Sequence, residues 1–228
     1  MRLLDRETAA IFRRLDYAAL ADIYCDEGGK AFWRAMRGPC RRLGLRIASA
    51  LRGRLRRGGH SLYVGAGVAE IPALMMERLD LGREVLACNL RRKEVSLLRR
   101  ACGPVSACFR AMDAAGAPGR FDHLWMVSVL NDPEEFPELS ALSYGRADPS
   151  RFQVRKFAAQ RRAVRRLADR CLRKLSLPAL VTTSIEEVVW VEEWCARRGV
   201  SCRVEKKTYP SALVGDPVCF IHLGKPSR

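Results

Sequence analysis

From Ser61 to Glu70 the chain reads Ser-Leu-Tyr-Val-Gly-Ala-Gly-Val-Ala-Glu, an apolar run followed by a Gly-x-Gly turn and the opening of a helix. Glycines at 65 and 67 let the backbone turn tightly and approach a ligand, and the free N–H groups of a helix start face outward toward an anion. A Gly-x-Gly turn also occurs where nothing binds, so the turn alone leaves both readings open. Glu70, just inside the helix, either gives a carboxylate to a cationic ligand group or complements the helix dipole. Pro72 is ordinary first-turn chemistry, since the N–H it lacks has no partner there. His123 lies among apolar neighbours and reads as a satisfied core histidine, and Asp122 as a solvent-facing strand end. Ser128, Asn131, Asp132 and Tyr144 fall where a substrate pocket forms outside the C-terminal ends of strands.

Metal chemistry has little to work with. Nine cysteines are scattered without a C-x-x-C pair, and the three histidines do not cluster with them. The pattern predicts no metal site and reduced, mostly buried thiols in a cytoplasmic protein. Charges recur every few residues at the N-terminus and no run of 18 uncharged apolar residues exists, which predicts neither a signal segment nor a membrane span.

The elements that position these residues change texture along the 228-residue chain. Residues 1–58 lack strand-like alternation. Leu3 to Ile23 carry three- and four-residue apolar spacing, which predicts a helix broken at Gly28-Gly29. Shorter helices are expected over 31–36, ending at Gly38-Pro39, and over 41–57. From 59 to 228, apolar runs alternate with helical stretches, as in βα units around a parallel sheet. Strands are expected near 61–65, 84–89, 105–110, 121–128 and 178–184, and helices near 68–80, 92–102, 151–176 and 186–198. Residues 131–149 read as a long irregular loop. Two final strands, 201–209 and 217–223 with Gly215-Asp216 between them, follow each other without a helix and must pair antiparallel.

This order, with the glycine turn after the first strand, resembles the class I S-adenosylmethionine-dependent methyltransferase family over residues 59–228. The resemblance implies an α/β fold: a doubly wound, mostly parallel seven-stranded sheet with a C-terminal antiparallel hairpin, preceded here by an all-helical N-terminal extension. It implies S-adenosylmethionine as cofactor, with Gly65, Ala66 and Gly67 around its methionine part and Glu70 near the amine. Asn89, at the end of strand two, falls at the ribose position and Asp113, after strand three, at the adenine position. Asp113 is equally an N-cap ahead of Ala114-Ala115-Gly116. Asn131-Asp132-Pro133 stands where base methyltransferases hold the target nitrogen, and is equally a turn initiator. Three positions depart from the family: Tyr63 replaces an acid, Ala69 the third glycine and Asn89 the ribose-binding acid. Losing that carboxylate predicts cofactor binding weaker by about 1–2 kcal/mol. Catalytic candidates are Asn131, Asp132 and Tyr144. A base is optional, because methyl transfer from a sulfonium asks the protein chiefly to position two substrates.

The net charge of +16 bears on the acceptor. Residues 37–57 hold eight arginines and no acid, and residues 146–174 hold eleven Arg and Lys against Asp148 and Asp169. Two such faces, placed side by side, form a groove for nucleic acid; with 34 of 41 basic residues being Arg, they are equally a solvated surface from a GC-rich genome. The expected activity is therefore methyl transfer to a small molecule or an RNA. Two alternatives stay open: a non-catalytic module of the same fold that binds nucleic acid or a protein partner, and an aminopropyl transferase similar to nicotianamine synthase, which VGAGVAEIP slightly resembles.

Overall fold

The computed structural model describes residues 2–23, 29–210 and 216–226. Gly28 and Gly215, where breaks were expected, lie outside the described residues.

The N-terminal region forms α1 (Arg2–Arg14), α2 (Tyr17–Ile23) and α3 (Gly29–Arg52). The single helix expected through Ile23 is split, because the Asp16 carboxylate accepts the Ala19 N–H at 3.0 Å and starts α2. The two short helices expected beyond it are one. Trp33, Cys40, Ile47 and Leu51 are buried on both sides of Pro39, so burial of the continuous stripe outweighs the single backbone bond that the proline removes.

Next come β1 (His60–Val64), α4 (Ile71–Met75) running into a π-turn (Met76–Asp80), β2 (Glu84–Asn89), α5 (Arg92–Ala101), β3 (Phe109–Ala111) and β4 (Phe121–Met126). The third strand is shorter than expected: Gly103-Pro104 opens a 3-10 turn over Gly103–Cys108 that consumes its first half. The stretch 131–149 is not wholly irregular, since it holds α6 (Pro137–Ser143) with Pro137 in its first turn. The chain ends with α7 (Val154–Leu172), β5 (Leu175–Ser184), α8 (Val188–Arg198), β6 (Val200–Val204) and β7 (Val218–Pro226). Tyr209, expected inside the sixth strand, keeps only a bridge to Val218.

All seven strands form one sheet in the order β3-β2-β1-β4-β5-β7-β6. The pairs β1–β2, β1–β4, β2–β3 and β4–β5 are parallel, and β7 runs antiparallel between β5 and β6. The order reverses between β1 and β4, the switch point at which open α/β sheets bind ligands. Alternate strand residues feed two cores. Tyr63, Ala87, Trp125 and Phe220 join α1–α5 on one face, while Leu62, Val64, Met126, Val181 and Ile221 join α6–α8 on the other. Consequently α3 and α7, the two arginine-rich helices, lie on opposite faces of the sheet and form no common groove.

Candidate active site

The turn after β1 is built from the backbone outward. Gly65 has φ +69°, a left-handed conformation that costs any other L-residue strain, and a Cβ there would sit 3.1 Å from Val129 in the loop after β4. Gly65 thus brings the β1 and β4 loops together at the switch point. Ala66 N–H donates to the Cys88 carbonyl at 2.9 Å, and the Asn89 amide donates to the Ala66 carbonyl at 3.0 Å, so the turn is tied to the end of β2. Gly67 N–H donates to the Glu70 carboxylate at 2.8 Å. Burial pushes the Glu70 carboxyl up to about 7, against the lowering pull of that N–H, with the nearby Glu94 raising it further.

Asn89 is buried and fully engaged: its amide nitrogen also donates to Glu94 at 3.0 Å, and its oxygen accepts from the Arg91 N–H at 2.8 Å. Glu94, in the first turn of α5, is a fully buried carboxylate beside the turn that the sequence reading passed over. The available signal was an acid on the apolar side of a short helix facing a polar strand end.

Asp113 lies at the same end of the sheet, beyond β3, on the far side of β2 from the turn. It does act as an N-cap, accepting the Ala115 N–H at 2.9 Å, and it pairs with Arg170 of α7 at 2.9 Å. Gly65, Ala66, Gly67, Glu70 and Asn89 are brought together by direct hydrogen bonds and packing; Asp113 shares their edge without touching them.

A second group surrounds the ends of β4 and β5. Glu187, fully buried, accepts the Ser128 N–H at 3.0 Å, the Leu130 N–H at 2.5 Å and the Thr183 hydroxyl at 3.0 Å. It pins the loop after β4 with Ser128 at φ +56°, a strained conformation for a serine. Burial raises the Glu187 carboxyl, opposed by those hydrogen bonds. Inside this loop, both polar atoms of the Asn131 amide and the Ser128 hydroxyl are buried without a hydrogen-bond partner. Orphaned buried amides are costly, about 1–3 kcal/mol, and call for a partner that the protein itself does not supply here. Tyr144, the residue that closes α6, is partly buried, and burial together with Asp216, Glu187 and Glu186 raises its phenol to about 12. Asp132 accepts the Glu134 N–H at 2.8 Å, the bond of a turn initiator. Arg91, beyond β2, pairs with Glu134, beyond β4, linking the two loops that flank the glycine turn.

Two other sequence readings are settled. His123 is a core histidine, with Nε2 2.9 Å from Thr182 and Nδ1 3.0 Å from Glu77. Asp122 is not solvent-facing: it receives Arg83, Arg56 at 2.8 Å and the His60 N–H at 3.1 Å. Buried arginine at 83 needed carboxylates, and Asp122 is one of the two that reach it. Among the described residues no helix is long and apolar enough to cross a membrane. Seven of the eight described cysteines are buried, and all eight are free thiols.

No family model matches the chain, and no curated protein sequence does. Solved structures are similar in three dimensions. Magnesium protoporphyrin IX methyltransferase from Synechocystis PCC 6803, solved with S-adenosylmethionine bound, superposes with a TM-score of 0.54 at 12% identity, covering 92% of this chain and 98% of that one. A methyltransferase from Pyrococcus furiosus superposes with a TM-score of 0.50 at 17% identity, covering 80% of this chain and 83% of that one. At these identities the likeness concerns architecture, and together with the strand order and the switch-point turn it shows that this chain has the class I methyltransferase-like fold.

Proposed function

We propose that the chain binds S-adenosylmethionine in the crevice over Gly65–Gly67 and transfers its methyl group to an acceptor seated against Asn131 and Tyr144. The observation that carries this reading is the orphaned Asn131 amide, buried in the loop that Gly65 draws against the glycine turn. The residues present suit such a cofactor. Glu70 offers a carboxylate to a cationic amine, and its position at the edge of ionisation means that a bound ammonium favours the charged form. The crevice wall at Gly65 has no side chain to exclude a ligand, while the Glu94 carboxylate and the Arg91 backbone shape the ribose side through Asn89.

When bound, the cofactor supplies an electrophilic methyl on a sulfonium, and the protein's task is alignment. Asn131 donates and accepts hydrogen bonds and thereby orients a polar acceptor. Tyr144, with its phenol held protonated far above neutrality, acts as a hydrogen-bond donor and not as a base. Glu187 keeps the loop rigid by three accepted hydrogen bonds and has no spare role in proton transfer. Tyr63, which stands where the family carries an acid, points into the core and stacks on Trp125 with centroids 5.1 Å apart, so that departure leaves the crevice to Glu70.

Calorimetric titration with S-adenosylmethionine tests the reading. We expect saturable binding that weakens roughly tenfold in Glu70→Gln, the scale of one charge-assisted contact. No saturation at millimolar cofactor overturns it and leaves the non-catalytic module as the better description.

A further inference from the structure

At the pole opposite the crevice, the last turns of α7 and α8 enclose a cleft of about 420 Å³ lined by Arg165, Arg166, Asp169, Arg173, Arg197 and Arg198. We propose that this cleft docks the phosphodiester backbone of a single-stranded nucleic acid, independently of methyl transfer.

Part of this charge is already spent inside the cleft. Glu193 holds Arg165 in a two-pronged pair, at 2.8 and 3.2 Å. Asp169 takes Arg173 at 2.9 Å and Arg198 at 2.8 Å, and also the Trp194 indole N–H at 3.1 Å. Five guanidiniums therefore meet two carboxylates. Among the described residues Arg166 and Arg197 have no carboxylate partner, although Arg197 reaches the Glu193 carbonyl at 3.3 Å. The helix C-termini account for part of this charge, since cations there offset the dipole. They do not account for five arginines on one concave surface. Asp169 and Glu193 hold three of them from two helices, so Arg166 and Arg197 stand beside a partly fixed set of guanidiniums.

The shape and chemistry select the occupant. Guanidinium forks match phosphate oxygens two at a time. A flexible single strand can bend its phosphates toward arginines set around a concavity, whereas a rigid duplex or a flat membrane surface conforms to it less closely. Trp194 is buried under Arg198, 5.2 Å from its ring, so no aromatic face is left for base stacking and recognition is of backbone alone. The contrast with the other basic segment is informative. On α3 and just beyond it, Arg41, Arg52, Arg54 and Arg56 are paired with Asp5, Asp80, Glu205 and Asp122, acids drawn from distant parts of the chain. Half of that segment's eight arginines thus serve the fold, and its other four are not gathered with the cleft's arginines around one concavity.

Fluorescence anisotropy with labelled oligo-U, oligo-dT and a duplex of equal length tests the proposal from about 50 to 200 mM salt, the range over which phosphate contacts lose most affinity. We expect both single strands to bind with a log–log slope near −0.7 per phosphate neutralised. Arg166→Glu/Arg197→Glu should weaken binding at least roughly tenfold and reduce the slope by about 0.7 per lost contact. Arg42→Glu/Arg46→Glu on α3 changes net charge equally and should leave the slope unaltered. The difference between the two oligonucleotides identifies the natural source. Should the reversal variant melt early, Arg166→Gln/Arg197→Gln carries the same comparison. The proposal is overturned by an absence of binding near 50 mM salt, by equal losses in the α3 and cleft variants, or by tighter binding of the duplex or of anionic lipid vesicles. None of these outcomes depends on S-adenosylmethionine, so failure here and failure of the methyl-transfer reading are separable.

Discussion

Asn89 spends its entire amide on the protein: two donated bonds hold the Ala66 carbonyl and Glu94, and one accepted bond caps the Arg91 N–H. From sequence, an asparagine at this strand end reads as a weakened ribose contact, and restoring an acid there promises tighter binding. The surroundings reverse that expectation. An aspartate donates nothing to Ala66 or Glu94, and it places a second carboxylate beside one that is fully buried. Asn89→Asp should therefore destabilise the fold by about 1–3 kcal/mol, the range for leaving buried groups unsatisfied, and loosen the glycine turn. Thermal melting together with cofactor titration checks this; a variant that melts with the wild type and binds more tightly refutes it. The sequence shows which residue departs from the family pattern. It does not show Glu94, whose approach depends on how α5 lies against β2, a tertiary fact with no local signature.

Element boundaries were legible where turn chemistry is local and strong. The glycine turn and Gly199 mark real ends, with Gly199 at φ +61° closing α8, whereas α3 stops at Arg52, short of the end expected at Gly58-Gly59. They were misread where packing overrules propensity, as at Pro39 within α3, and where a carboxylate restarts a helix, as at Asp16. The π-turn after α4 was likewise unreadable. It places Glu77, fully buried, among the Arg83 guanidinium at 3.0 Å, the Tyr63 hydroxyl at 2.6 Å, Ser61 and His123, joining α4 to β1 and β4 from below. Burial alone raises a carboxyl, but here His123, Ser61 and Tyr63 outweigh it and hold Glu77 below its ordinary value. A depressed folded-state value means that this stability is complete above about pH 4.5 and is lost as pH falls through the folded value. Glu77→Gln leaves the buried Arg83 with Asp122 as its one carboxylate among the described residues and unsettles the Tyr63, Ser61 and His123 contacts, and should cost about 3 kcal/mol at pH 7, the low end for breaking a buried pair. Its denaturant midpoint should also depend less on pH than the wild type's below about pH 4.5, where the carboxylate titrates. Parallel acid limbs in the two proteins would show that Glu77 is not the titrating group.

On the scale of the whole molecule, the helical N-terminal region and the sheet meet in one of the two cores. Leu4, Ile11, Phe12, Leu15, Leu20, Ile47 and Leu51 are buried in the same cluster as Tyr63, Leu74, Leu98 and Phe109. The contact is close: a Cβ on Gly44 of α3 would stand 2.5 Å from the Ala69 carbonyl and 2.6 Å from Pro72, so α3 lies directly behind the segment that carries Glu70. The composition change near residue 59 marks a change of secondary structure and says nothing about whether the two parts stand apart. Burying one Leu, Ile or Phe contributes about 1.5–3 kcal/mol, and seven of them match or exceed the usual net stability of a domain. A chain beginning at residue 59 would expose the facing sides of α4 and α5 to water. We expect it to be aggregated, or soluble with a dye-binding apolar face and no cooperative melting transition. A sharp transition near that of the full chain would show instead that residues 59–228 fold alone and that the N-terminal helices dock afterwards. In the expected case the glycine turn is supported from behind by α3, and substitutions at Gly44 would reach the crevice without any contact with a ligand.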